Sequence, residues 1–331
     1  MHLGARLWQE LTGSAGRVWW SRLQGLSQQL QQAYGVPLPA IELSLDEQLP
    51  ENAYQFRLAG GAADGGVLYP GRWFAAGETE VVELLMGEHG HEPVFGLEGR
   101  WIPYARGQGA EQLGCHLLSS EALWVGHLSD RLERRLDLCL CPQWLKRELA
   151  RRGLASPGPG LFQQLSWLLE ERVSIVSLPL IVEAYRGTSR GAAQRLRAIR
   201  RALGPRVLAP WLESHGRLAT LTLTDSTTRR LRRELASELG PDAWFLGLLL
   251  GQLQNELFWA QQQFGEAVIV VSADLRRPLF ELLPFELRRT PVLAYDEIPA
   301  DVELLSAAVV GSRLHPLADS WISRRWSIAS A

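Results

Sequence analysis

Val268-Ile269-Val270-Val271 is an unbroken run of β-branched residues, set between Gly265 and Ser272. A run without polar alternation suits a strand buried on both faces, as in a sheet covered by helices on each side. The flanks agree with that reading. Upstream, Ala219, Leu221 and Leu223 alternate with threonines, and helical stretches follow at 226–239 and 242–264. Downstream come a helix at 274–288, strand-like residues from Pro291 to Tyr295, and a further strand-like segment from Val302 to Val310. Strand and helix in alternation predict an α/β unit over 212–310.

The 140–211 segment has only the helical period. A helix is expected at 143–152, then a Ser156-Pro157-Gly158-Pro159-Gly160 break, then Leu161, Leu165, Leu168 and Leu169 on one face. Another helix opens near Pro179 and stops at Gly187, and a third runs from Ala192 to Leu203, closed by Gly204-Pro205. Before residue 140 the chain changes character again. Ile41, Leu43 and Leu45, then Tyr54, Phe56 and Leu58, alternate as half-buried strands do, and the GGAADGG run at 60–66 supplies a turn. From 71 to 119 the pattern is irregular, as in a small loop-rich unit. Ser119 or Ser120 then caps a helix with Leu128, Leu132 and Leu136 at four-residue spacing. Residues 1–35 read as a linker and lead-in helix, and 311–331 as a tail.

With 331 residues, the chain exceeds what one core organises. Apolar residues make up 46% and charged residues 21%, the balance of a folded protein rather than a disordered one. A net charge of -2 provides no overall pull toward nucleic acid or an anionic membrane. The 13 tryptophans suit cores and interface centres alike. Cys115, Cys139 and Cys141 make neither an even disulfide set nor a Cys-x-x-Cys pair, which points to a reducing compartment. The first residues lack a signal-peptide run, and the longest apolar stretch, Ala243 to Gly251, is too short to cross a bilayer, so a soluble chain is expected.

Several motifs invite a chemical role. Gly187-Thr188-Ser189-Arg190-Gly191 fits G-x-S-x-G, the basis of a serine hydrolase alternative using Ser189; it lies between two helices, however, where a helix stop followed by a hydroxyl cap is the better account. Glu88, His89, His91 and Glu92 fail the H-E-x-x-H test, because position 95 is phenylalanine and Pro93 interrupts a helix; a solvated loop without metal is expected. No phosphate-cradling loop follows the glycines at 60–66, so no cofactor is expected. Arg190, Arg197, Arg200 and Arg201, and then Arg229, Arg230, Arg232 and Arg233, support an alternative as an arginine-dependent nucleic-acid binder. Solvated helix faces or salt bridges between subunits explain them better, since no stacking aromatics accompany them.

Seven segments occur in one order: GVPLPAI (35–41), LPENAYQFRL (49–58), LYPGRWFA (68–75), EPVFGLEGRWI (92–102), GHL (126–128), LLEERVSIVSLPLIVEA (168–184) and PVLAYDEIPADVE (291–303). Together they resemble the C-terminal cytosolic domain of the FlhA/SctV family of type III secretion export-gate proteins. The resemblance implies an α/β fold of four subdomains: a first at 36–70 resumed at 120–139, an inserted second at 71–119, a helical third at 140–211 and an α/β fourth at 212–310. It also implies a non-catalytic docking platform at the cytoplasmic face of the bacterial inner membrane, a homo-oligomeric ring of nine, and partners that are chaperone–substrate complexes, gatekeepers and other export-apparatus proteins. Nucleic acid is not among them. Membrane attachment would come only through an N-terminal membrane-spanning half that this sequence lacks. The partner-binding residues carried over are Glu92, Phe95, Trp101 and His127, with Phe95 as the aromatic anchor and Glu92 and His127 at its rim. The Thr-His-Leu and Asp-Pro of flagellar members are Gly126-His127-Leu128 and Glu92-Pro93 here, which favours the injectisome branch.

Overall fold

The computed structural model describes residues 1–158, 160–188, 191–213 and 216–311. The expected tail lies outside these residues apart from Gly311, as do Ser189 and Arg190. The chain divides into two compact units, Met1–Ser156 with Leu165–Val176, and Pro157–Gln164 with the chain from Ser177 onward.

In the first unit, β1 (His2–Leu3), α1 (Ala5–Thr12), α2 (Gly16–Ala33), β2 (Ser44–Leu45), β3 (Ala53–Phe56) and β4 (Asp64–Val67) follow one another. The four strands form a sheet in the order β2-β1-β3-β4. Residues 1–35 contain the expected lead-in helix and also supply an inner strand, and α2 buries Trp19, Leu23, Leu26 and Leu30 on one face at helical spacing. The expected strand at 41–45 shrinks to two residues, and the turn before β4 occupies 57–63, because Asp64-Gly65-Gly66-Val67 pairs with Ala53–Phe56. Gly65 allows that approach, since a Cβ there would lie 2.1 Å from the Tyr54 carbonyl oxygen.

The segment expected to be irregular is a regular sheet. It comprises β5 (Arg72–Ala76), α3 (Thr79–Leu84), β6 (Glu88–His91), β7 (Glu98–Pro103), α4 (Gly107–Gln112) and β8 (His116–Ser119), with strand order β6-β7-β5-β8, all antiparallel. Glycines disguised it in the sequence, because Gly90 and Gly99 sit where the rings of Trp101 and Phe74 press on the backbone. Then α5 (Ser120–Arg134) starts as expected, Ser119 Oγ accepting the Ala122 N–H at 3.2 Å. Its Trp124 meets Trp19 of α2 edge to face, ring centres 5.3 Å apart. A further helix, α6 (Pro142–Arg151), follows with proline in its first turn.

After α7 (Gly160–Glu170), the second unit continues through α8 (Leu178–Arg186) and α9 (Ala192–Leu208). The expected stop at Gly204-Pro205 is absent. Instead, Gly204 lets the helix lie against the backbone at Glu297, where a Cβ would be 2.1 Å from the carbonyl oxygen. Beyond it come β9 (Arg217–Leu223), α10 (Asp225–Leu235), α11 (Ala243–Phe264), β10 (Val268–Val271), α12 (Ala273–Leu282), β11 (Val292–Ala294) and β12 (Glu303–Val310). The helix expected to reach 288 stops at Leu282, and a 3-10 turn covers Phe285–Arg289. The sheet runs β11-β10-β9-β12 and is wholly parallel. Its strands alternate between two cores: Ala219, Leu221, Ile269 and Val271 pack with Leu231, Phe245, Leu249 and Leu279, whereas Leu218, Val268 and Val270 pack with Leu208 and Leu293. Burial on both faces is the cause of the unbroken apolar run at 268–271.

Candidate functional site

The turn from β6 to β7 carries the sequence-predicted anchor. Glu92 N–H donates to Leu97 O at 2.8 Å and Gly96 N–H to Glu92 O at 2.9 Å, with Gly96 at φ +69°. The Glu92 carboxylate turns inward, is only 6% exposed, and accepts the N–H groups of Val94 at 2.9 Å and Phe95 at 2.7 Å. Both oxygens are thus spent on the turn's own backbone. The result is that Phe95 stands 71% exposed on a clamped loop. Beside it, Glu92, Val94, Phe95, Leu118, Ala122, Leu123, Gly126, Ser129, Asp130 and Glu133 line an open groove of ≈ 370 Å³ whose far wall is α5. Gly126 keeps the groove open, since nothing lies within 4 Å of where its Cβ would stand.

The other three carried-over residues, Glu92, Trp101 and His127, are buried. Trp101 is 2% exposed, its ring between Phe74 and Tyr69 at centroid distances of 5.2 and 5.4 Å. His127 is fully buried. Its Nδ1 lies 2.7 Å from the Tyr54 hydroxyl, and Arg131 Nε donates to its Nε2 at 3.3 Å, with Asp64 on the same nitrogen at 3.4 Å. Burial outweighs the Asp64 carboxylate and lowers the His127 pKa from its ordinary value, which keeps the ring neutral. Glu92 both orients the turn and contributes to the groove lining. The sequence did hold a signal for His127: it shares the face of Leu123, Trp124, Leu128 and Leu132 by three- and four-residue steps.

The remaining chemical candidates resolve differently. Burial pushes the Cys139 thiol up to about 12, which removes its nucleophilic character. Arginines of the first cluster make salt bridges within the chain: Arg197 Nε reaches Asp296 at 2.7 Å, and Arg200, 1% exposed, forms a two-pronged pair with Glu297 at 2.9 Å on both arms. Arg276 reaches the same Glu297 carboxylate at 3.3 Å. In the second cluster Arg232 is paired with Asp274. These residues were expected to make solvated faces or contacts between subunits; Arg200 instead ties α9 to the loop before β12. The histidines at 89 and 91, expected in a loop, are on strand β6.

Comparison with known proteins decides the relationship. The FHIPEP family pattern matches residues 1–303. The chain belongs to the FHIPEP family. Among curated relatives, the flagellar biosynthesis protein FlhA of Escherichia coli is 24% identical over 307 residues, covering 88% of this chain and 44% of FlhA. The Bacillus subtilis FlhA is 22% identical, with 87% and 46% covered. The FHIPEP chain therefore spans less than half the length of these relatives. Among solved structures, the Chlamydia pneumoniae CdsV protein superposes with a TM-score of 0.72 at 17% identity, covering 93% of this chain and 96% of CdsV. Nonameric SctV-C from EPEC gives 0.64 at 18% identity, with 93% and 97% covered. At such identities the likeness establishes a shared mixed α/β fold. Among the described residues no helix is long and apolar enough to cross a membrane.

Proposed function

We propose that this chain is the cytosolic platform of a type III secretion export gate, which docks chaperone–substrate and gatekeeper complexes in the groove beside Phe95 and hands substrates to a membrane channel. The observation that carries the proposal is the exposed phenyl ring held on a clamped turn against an apolar, α5-walled groove. An aromatic anchor at the centre of such a groove is how an amphipathic segment is gripped by its apolar face. Glu133 at the α5 edge is the acidic group of the groove border, since Asp130 is paired with Arg134. Four subdomains, 36–70 with 120–139, 71–119, 140–211 and 212–310, are part of the same proposal.

Assembly into a ring of nine is supported by the nonameric SctV-C structure, and docking of a protein partner by the solved complex of Chlamydia pneumoniae CdsV with CdsO. The curated relatives are flagellar, whereas Gly126 and Glu92 depart from the flagellar pattern, and the proposal follows the injectisome branch. The chemistry is positioning and binding, without a catalytic residue.

Phe95→Ala tests the docking site. Truncating a central aromatic anchor is expected to cost about 2 kcal/mol of binding, roughly 30-fold in affinity for a cognate chaperone–substrate complex. The melting midpoint stays with the parent, because the ring is mostly solvent-exposed already. A large fall in melting with binding retained by the folded fraction would sink the proposal. For the ring, mass measured across a wide concentration range is expected to show monomers closing into nine-membered rings; open filaments would refute it.

A further inference from the structure

Strand β6 lies at the edge of the β6-β7-β5-β8 sheet and, among the described residues, pairs with β7 alone. Strand geometry sends alternate side chains to opposite faces, so His89 and His91 project together, and the antiparallel register sets Glu98 of β7 directly across from His91. The two imidazoles meet edge to face with ring centres 5.1 Å apart, and His91 Nε2 lies 3.7 Å from Glu98 Oε1. One ligand atom from each of the three residues lies within 4.8 Å of the others, and all three side chains are exposed. The backbone beneath them is held in place: Gly90, between the histidines, lies so close to the Trp101 indole that a Cβ would be 2.9 Å from its nitrogen. Arg100, opposite His89, has its guanidinium anchored to the carbonyls of Val82 and Gly87, both at 3.2 Å.

We propose that His89, His91 and Glu98 form a binding site for a divalent transition-metal cation, with Zn²⁺ the best-suited member of that class. Two imidazole nitrogens and one carboxylate oxygen are a known three-ligand set for zinc, with the fourth position left to water. Calcium and magnesium take oxygen ligands and are poorly served by imidazoles. Ligands at 2.0–2.2 Å in a tetrahedron stand about 3.3–3.6 Å apart. The present spacing closes to that value when the exposed rings turn inward by about 1 Å, which rotation about their own side-chain bonds supplies. The bound cation would cross-link β6 to β7 and so fasten an edge strand that has one neighbour.

His-x-His does not fit the helical spacing of zinc proteases, which is why the sequence pattern alone conceals the site. In a strand the relevant period is two, and the third ligand comes from the neighbouring strand.

The test is calorimetric titration of chelator-treated, full-length protein with ZnCl₂, coupled to thermal melting with and without the metal. One saturable equivalent is expected, together with a rise in melting midpoint. His89→Ala, His91→Ala and Glu98→Gln should each weaken binding at least tenfold and abolish the rise, since even residues one shell further out cost 10- to 100-fold. Cys141→Ser, which removes the exposed thiol, should leave both readouts unchanged. All three ligand positions are exposed, so the variants should retain the parent circular dichroism. Absence of saturable binding up to about 1 mM Zn²⁺, where the binding free energy has shrunk to about 4 kcal/mol, would overturn the proposal. So would binding that survives the loss of both histidines or that disappears with Cys141→Ser.

Discussion

Replacing Glu92 by alanine should loosen the Phe95 turn without unfolding the unit around it. The carboxylate accepts two backbone N–H groups, at 2.9 and 2.7 Å, from a position only 6% exposed. Hydrogen bonds to a charged acceptor contribute about 1.5–3 kcal/mol each. Val94 and Phe95 sit at the surface, however, and water replaces part of what they lose, so about 2–3 kcal/mol for the pair is the fair expectation. The turn is local and opens without the sheet. At 1.4 kcal/mol per decade, the amides of Val94 and Phe95 should then exchange with solvent deuterium about 30- to 150-fold faster. Hydrogen exchange read by mass spectrometry on a peptide spanning 92–99 measures this directly. Glu92→Gln keeps one acceptor oxygen and should fall between the parent and the alanine variant. Unchanged exchange at both amides in Glu92→Ala would refute the idea that the carboxylate holds the anchor in place.

Trp101→Ala, by contrast with Phe95→Ala, removes a buried ring wedged between Phe74 and Tyr69 and should cost about 3–5 kcal/mol of stability, measured by denaturant unfolding. For His127, a buried ring with a lowered pKa stabilises the fold above its ordinary unfolded pKa of about 6.5, and that stabilisation is lost as pH falls through the folded value. The melting midpoint of the parent should therefore fall on acidification from pH 7, and His127→Gln should flatten the profile; an equal slope in both proteins would exclude His127 as the cause. Glu297→Ala takes away the carboxylate that the guanidiniums of Arg200 and Arg276 share in the interior, and should destabilise by about 3–5 kcal/mol in a urea melt. A loss under about 1 kcal/mol would mean that water enters and replaces it.

Where local chemistry governs, the sequence was sufficient. Ser119 announced the start of α5, and the run 268–271 announced a strand covered on both sides. Glycines misled in a consistent way. Gly204 resembled a helix stop and Gly90 a loop, yet each stands where another backbone or ring comes too close for a Cβ, a fact written only in tertiary contacts. Pro93 and Gly96 marked a turn around Phe95, and the ring is exposed there. The burial of Trp101 and His127 was not legible from segment likeness, since such likeness gives position along the chain and not depth. Which face of α5 points inward required summing Leu123, Trp124, Leu128 and Leu132 together, and the groove wall of Ala122, Gly126 and Glu133 follows from the complementary face.

The order β11-β10-β9-β12 has a consequence for synthesis. Strand β9 ends at Leu223, whereas the strand that covers its open side is completed only at Val310. At about 5–20 residues per second, a ribosome needs roughly 4–17 s to make the intervening chain. Through that interval the backbone groups along one side of β9 have no neighbouring strand, in a sheet whose central residues are buried and mostly apolar. Parallel pairing across so long a span is also slow to form once the chain is free. The nascent second unit is therefore expected to need shielding by ribosome-associated holding factors until its last strand arrives, and a stop codon placed just before Glu303 should release a chain in which one side of β9 stays unpaired.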